Sequence, residues 1–219
     1  MREDGSKNLT IPFLPDVQFG SPVDKVMAGL AAAAMTTLDE VPWKTYPYKP
    51  MVVVKMAHTC DSLILNFSVE EKHLKAEYRN TNDPVYRDSC VEFFISFDGV
   101  NYYNLEFNCI GTGFIGYGGP DKSRRNPLRK SLVEQVRTHA VINSNADRHG
   151  GISWRLLINV PFSVFEADSI EALSGTSCTA NFYKCGDDLP DPHYIAWNTI
   201  DHPTPNFHLP RFFGRLFFV

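Results

Sequence analysis

Two stretches in the middle of the chain, 89–97 and 101–109, restrict its fold more than any other feature. In the first, Val91, Phe93, Ile95 and Phe97 fall on one face, with Glu92, Phe94 and Ser96 on the other. In the second, Tyr103, Leu105, Phe107 and Cys109 oppose Tyr102, Asn104, Glu106 and Asn108. A repeat of two residues is the signature of a strand, and no helix sorts its side chains that way. Asp98-Gly99 between them marks a hairpin turn. A two-residue loop would set Glu92 beside Tyr103 and Leu105 and mix the faces. A three-residue loop, 98–100, with a left-handed residue at or next to Gly99, keeps the apolar faces together and the polar faces together, so the odd loop is expected.

The same period recurs along the chain. Strands are expected at 52–56, 62–69, 73–79, 132–142, 152–160, 177–185 and 213–219. In 152–160 the apolar face includes Trp154, which reads as a core residue. Turn chemistry fills 80–89 and 145–151, and the glycine-rich 111–127 reads as a loop. It lacks the Lys-Ser or Lys-Thr and the helix start of a phosphate-binding loop. Ahead of the strands, 7–20 reads as an extended lead-in. Ser21-Pro22-Val23-Asp24 caps the best helix candidate, 22–35, and 41–50 is irregular. About ten short strands and one short N-terminal helix, without β-α-β alternation, predict an all-β fold. The expected architecture is an antiparallel β-sandwich of the immunoglobulin-like or jelly-roll kind. Residues 1–219 read as one domain, with 1–20 as its lead-in.

Composition excludes several function classes. A net charge of −4 over 219 residues carries no nucleic-acid footprint. The local basic cluster Lys122, Arg124, Arg125, Arg129 and Lys130 reads as a solvated loop. Five cysteines without a C-x-x-C spacing argue against a zinc site and for a reducing compartment. No cofactor is expected, and no Asp-rich loop suggests structural calcium. The N-terminal residues hold no apolar run of signal-peptide length, and no stretch approaches a membrane span. The expectation is a soluble cytoplasmic protein with no membrane partner, or a periplasmic or secreted one if Met1 to Ser6 replaces a removed leader.

The polar strand faces carry Glu92, Asn104, Glu106, Asn108, Asn181 and Tyr183. Carboxylates and amides match the paired donors and acceptors of sugar hydroxyls, and aromatic rings stack on sugar C–H faces. A solvated sheet face is the other reading of the same pattern. The last forty residues, 180–219, hold a loop rich in Pro, Asp, His and aromatics between two strands, a common setting for a binding site.

Six motifs in order then carry a resemblance over about 43–219: DSCVEFFIS (88–96), YYNLEFNCIGT (102–112), WRLLINVP (154–161), NFYKCGD (181–187), PHYIAWNTI (192–200) and PNFHLPRFFG (205–214). Together they resemble family 9 carbohydrate-binding modules, and more closely the stand-alone family 9-like proteins of Bacteroidetes. The resemblance implies a jelly-roll sandwich that binds an oligosaccharide or polysaccharide, short β-glucans or xylans, often at reducing ends. It implies a sugar clamped between two aromatic rings, with Trp197 as one ring and Trp43, Tyr86 or Tyr117 as the other. An acid and an arginine would contact the hydroxyls, matched here by Glu92, Glu106, Arg124 and Arg125. Asn108, Asn181, Tyr183 and His193 complete the expected sugar-binding set.

Two enzyme or cofactor readings compete. Glu92 and Glu106 form a visible carboxylate pair for a glycosidase. Met56 and His58 offer the ligand types of a haem-binding sandwich of the DOMON kind, although two positions apart they would share one face.

Overall fold

The computed structural model describes residues 5–143 and 151–219, so the expected turn at 145–151 lies, apart from Gly151, outside the described residues. The chain opens with β1 (Asn8–Ile11), the helix α1 (Val23–Gly29) and β2 (Met35–Thr37). β3 (Met51–His58) and β4 (Ser62–Glu71) follow, then β5 (Cys90–Ser96), β6 (Tyr102–Asn108), β7 (Gly113–Gly118) and the short β8 (Asn126–Pro127). After the one-turn helix α2 (Lys130–Val133) come β9 (Arg137–Asn143), β10 (Ile152–Pro161), β11 (Ser177–Cys185), β12 (Tyr194–Ala196) and β13 (Gly214–Phe218).

These strands make two sheets. The larger runs β1-β13-β11-β5-β6-β7-β8, with β12 continuing the β13 edge of β11; the smaller runs β2-β3-β4-β10-β9. Among the described residues, every strand pair is antiparallel except β1 with β13. The expected sandwich is what forms. In the β5–β6 hairpin Glu92 pairs with Glu106 and Ile95 with Tyr103, the odd-loop register, and Gly99 is left-handed at φ 75°. Phe67, Val91, Phe93, Leu105, Trp154, Leu156 and Phe182 fill the space between the sheets.

Both outer faces are covered in part, which is why β5 and β6 are buried along their whole length. On the smaller sheet, Val26 and Leu30 lie over Ala57, Ile64 and Leu157. On the larger, the segments carrying Trp43, Val85, Phe207 and Phe213 close over Phe94, Tyr102 and Tyr183. This second cluster occupies much of what the alternation offered as a solvent face.

Four expectations change. Residues 73–79 are extended but join no sheet. Their backbone donors go to side chains instead: Lys75 N to Ser89 Oγ (3.1 Å), Glu77 N to Asp88 Oδ1 (3.1 Å) and Tyr78 N to Asp88 Oδ2 (3.0 Å). Residues 113–118, read as loop, form β7, because their glycines admit cross-strand neighbours. A Cβ on Gly113 would lie 2.4 Å from the Phe107 ring, and one on Gly116 would lie 2.6 Å from Asn104 Oδ1. The expected strand 132–142 starts late, since α2 buries the adjacent Leu132 and Val133 together. The helix is shorter than 22–35 and tightens into a 3-10 turn at Leu30–Ala32.

Trp197 departs furthest from its expected role. Its ring is 1% exposed and belongs to the central core, edge-on to Phe182 at 5.4 Å. Its Nε1 donates to Thr36 Oγ1 (2.9 Å), linking the two sheets. Gly214 lets β13 pass over it, as a Cβ there would lie 2.5 Å from the ring. No sugar can stack on this surface. Trp197→Phe is therefore expected to cost about 1–3 kcal/mol in chemical denaturation, from lost packing and an abandoned hydrogen bond, and to leave sugar affinity within about twofold.

Candidate functional site

Where the second aromatic cluster stops, the outer face of the larger sheet opens into a cleft of about 540 Å³. Strand register builds its floor. Tyr183, Glu92, Glu106 and Phe114 form one row across β11, β5, β6 and β7, and Asn181, Phe94, Asn104 and Gly116 form the next. Glu92, Glu106, Asn104, Phe114 and Cys185 line the cleft, while Tyr183, Phe94 and Asn181 are covered. The walls come from loops: Tyr86 from the 3-10 turn Val85–Arg87, Lys122 and Arg125 from the segment after β7, Asp187 and Tyr194 around β12, and Asn206 to His208 from the C-terminal strap.

Glu92 and Glu106 are 4% and 6% exposed. The ladder bond from Cys109 N to Ser89 O (2.8 Å) makes 89 and 109 a bonded pair, so by alternation 92 and 106 are a non-bonded pair. Such pairs bring side chains closest, with Cα atoms about 4.5 Å apart. Burial, reinforced by the facing Glu106 carboxylate, pushes Glu92 well above the usual carboxylate range. Burial pushes Glu106 up to about 7, and Asp187, also beside Asp188, up to about 6. Glu92 Oε1 accepts from the Cys185 thiol (3.0 Å), and Glu106 Oε1 accepts from Asn104 Nδ2 (2.8 Å). A carboxyl that burial keeps protonated lets the floor donate as well as accept.

Arg125 holds this floor in place. Its guanidinium lies 3.8 Å from the centre of the Tyr102 ring and donates to Gly118 O, Gly119 O (3.0 Å), Tyr102 O (2.9 Å) and Asn104 Oδ1. Asn104 passes the orientation on to Glu106. Opposite, His208 Nδ1 meets the Tyr102 hydroxyl at 2.9 Å, and burial lowers His208 to about 3, so its ring is neutral.

Of the expected site residues, Glu92, Glu106 and Arg125 come together in the cleft. The others do not, each for a physical reason. Arg124 is exposed and pairs with Asp121 (3.4 Å). Asn108 is spent on Tyr78 O (2.8 Å), Asp88 (2.9 Å) and Thr112 N (2.9 Å). Asn181 clasps Asn198 through its backbone N (2.9 Å) and O (3.2 Å). Tyr183 is stacked under Phe207 at 4.1 Å. His193 accepts from Lys184 Nζ (2.8 Å) inside the protein, and burial lowers it to about 3. Of the candidate second rings, Trp43 is buried with its Nε1 on His202 O (2.7 Å), and Tyr117 packs inward on Tyr103. Tyr86, 37% exposed, lines the cleft. Sequence reasoning missed Phe114, Asp187, Tyr194 and Phe207 as lining residues. Phe114 alone was legible, as the position facing Glu106 once β7 is recognised as a strand.

Glu92 and Glu106, the carboxylate pair of the glycosidase reading, stand side by side on the cleft floor. The haem reading fails on geometry. Met56 is a core residue, and His58 lies between Phe13 and Phe218 with Nε2 at 3.2 Å from Val219 O, so neither offers a haem ligand. Among the described residues, Cys90, Glu92 and Cys185 place possible metal-ligand atoms within 4.8 Å of one another. Burial raises Cys90 to about 11 and Cys185 well above its ordinary range, so both are thiols here.

Comparison with known proteins decides the lineage. The model of carbohydrate-binding family 9 matches residues 22–218. The chain belongs to that family. Accordingly it is a carbohydrate-binding module rather than an enzyme. Its structure superimposes on a candidate carbohydrate-binding protein from Bacteroides uniformis with TM-score 0.88 and 35% identity, covering 98% of this chain and 100% of that one. A family 9 module from Caldicellulosiruptor kristjanssonii solved with glucose shares the fold at TM-score 0.61 and 13% identity, covering 97% and 96%. The same kind of module solved with cellotriose gives 0.61 and 14%, covering 97% and 93%. Among curated proteins, none matches.

Proposed function

We propose that the module binds short β-linked glucan or xylan oligosaccharides, at their reducing ends, in the cleft over Glu92 and Glu106. The observation that carries this reading is one row of the sheet. It sets two carboxyls in a floor flanked by aromatic walls, Phe114 at the β7 side and the Tyr86 turn at the β11 side. Asp187 N donates to Tyr86 O (3.2 Å), which ties that turn to the end of β11. The volume lies within the range of roughly 300–1,000 Å³ typical of small-ligand sites. Carboxyls, Asn104, Asn126 and Asn206 face hydroxyls, and the rings of Tyr86, Phe114 and Tyr194 face C–H surfaces. The ligands of the two Caldicellulosiruptor structures, glucose and cellotriose, support the same substrate class.

Isothermal calorimetry against glucose, cellotriose and xylotriose tests the proposal. Tyr86→Ala and Glu92→Gln are each expected to weaken binding by at least about tenfold, with circular dichroism unchanged. Wild-type protein that stays silent with all three sugars would sink the reading, as would variants that bind as well as wild type.

A further inference from the structure

The cleft holds buried carboxyl groups that no basic side chain pairs with. Three carboxylates, Glu92, Glu106 and Asp187, line it. The side-chain hydrogen bonds to Glu92 and Glu106 come from a thiol and an amide, both neutral. Among the described residues, no lysine, arginine or histidine nitrogen forms an ion pair with any of the three. The cations nearby are committed or remote. The Arg125 charge reaches Glu106, but its donors go to three backbone carbonyls and Asn104 and its face lies on the Tyr102 ring, so it makes no ion pair with the carboxyls. Lys122 and Arg87 are exposed at the rim. The remaining titratable neighbours, Cys90, Cys185, Tyr86, Tyr102, Tyr194 and His208, supply no positive charge: the His208 ring is neutral, and burial keeps the two thiols and Tyr102 protonated. One further acceptor at the cleft, Asn82 Oδ1, is buried without a hydrogen-bond partner.

A wall this rich in acceptors and this short of uncommitted cations suits a ligand that brings its own positive charge. We propose that the cleft prefers sugars carrying a protonated amine, of the 2-amino-2-deoxyhexose class, over neutral sugars, with the ammonium seated between Glu92 and Glu106. The inference rests on the sugar-binding reading above and narrows its substrate class. An ammonium in place of a hydroxyl keeps the sugar's size and its stacking faces. It offers three donors instead of one, and its bonds to carboxylates are charge-assisted. Burial keeps both carboxyls largely protonated in the empty cleft, and a seated ammonium favours their ionised form, so binding releases protons while the resulting attraction is screened less than at an open surface.

Calorimetry at about pH 6.5, where a sugar amine is largely protonated, separates the possibilities. Glucosamine is expected to bind at least about tenfold more tightly than glucose, a difference of about 1.4 kcal/mol. N-acetylglucosamine, which keeps the ring but loses the charge, should forfeit that gain, and glucuronate should bind worst. Glu106→Gln should collapse the ratio of glucosamine to glucose affinity toward one. If glucose matches or exceeds glucosamine while cellotriose still binds, this inference falls and the sugar-binding reading stands. If putrescine binds as tightly as glucosamine, the cleft recognises amines without reading the sugar, and the inference also falls. If no sugar of any charge binds, both readings fall together.

Discussion

Lys184→Ala is expected to lower the unfolding free energy by about 3–5 kcal/mol, the range for breaking a buried ion pair from one side. Lys184 and Glu71 are fully buried at the end of the core, Lys184 on β11 of the larger sheet and Glu71 on β4 of the smaller. Nζ lies 2.9 Å from Glu71 Oε2, and it donates to Cys185 O (2.8 Å) and to His193 Nε2 (2.8 Å). Trp154 Nε1 donates to the other Glu71 oxygen at 2.6 Å, and His193 Nδ1 meets Asp191 O at 2.9 Å. Removing the ammonium leaves a buried carboxylate with only an indole partner. Urea denaturation of the single variant and of Lys184→Met with Glu71→Leu provides the check. The double variant should recover most of the loss, because the penalty belongs to the orphaned charge rather than to the missing contact. A single variant within about 1 kcal/mol of wild type would refute the account.

Glu106→Gln should do the opposite and stabilise the protein by about 1–3 kcal/mol near pH 8. The folded pKa of Glu106, about 7, lies above its ordinary 4.5, so the folded state holds the proton more tightly than the unfolded chain. Its contribution is fully present below about pH 4.5 and is lost as pH rises through about 7. A difference of that size corresponds to about 3 kcal/mol at most, and relaxation of Glu92 and Asn104 accounts for the lower end of the expected range. Thermal melts from pH 4 to 8 should show a falling wild-type stability that flattens in Glu106→Gln. Parallel pH profiles would refute the assignment. The wild-type residue thus carries a stability cost at neutral pH, as expected where a binding site keeps charge in a dry place.

Legibility in the sequence followed the range of the forces involved. Alternation in 89–97 and 101–109 placed the hairpin, its odd register and the inward faces, because burial of every second residue is written locally. The same register put Glu92 beside Glu106, so the centre of the candidate site was readable in the sequence. Residues 73–79 have the same alternation and join no sheet, since Asp88 and Ser89 side chains took their backbone donors. β7 was hidden because its glycines look like turn formers and serve as clearance for Phe107 and Asn104.

Aromatic residues were the least legible, since a ring's identity says nothing about which surface it meets. Trp197, expected at the surface, lies under β13 in the core, while Tyr86, one of three alternatives, lines the cleft. His193 and Lys184 show the same limit for polar groups, their partners lying on other elements. By itself the sequence determined most of the long strands, the sandwich, the family motifs and the carboxyl pair, each set by residues within one strand or one hairpin. Only the tertiary structure decided that the outer face of the larger sheet is mostly sealed and that Arg125 is spent on the floor. It alone also placed the opening over Glu92 and Glu106. These depend on how the 197–213 strap and the 80–88 loop settle over the sheet, a packing outcome between segments far apart in the chain.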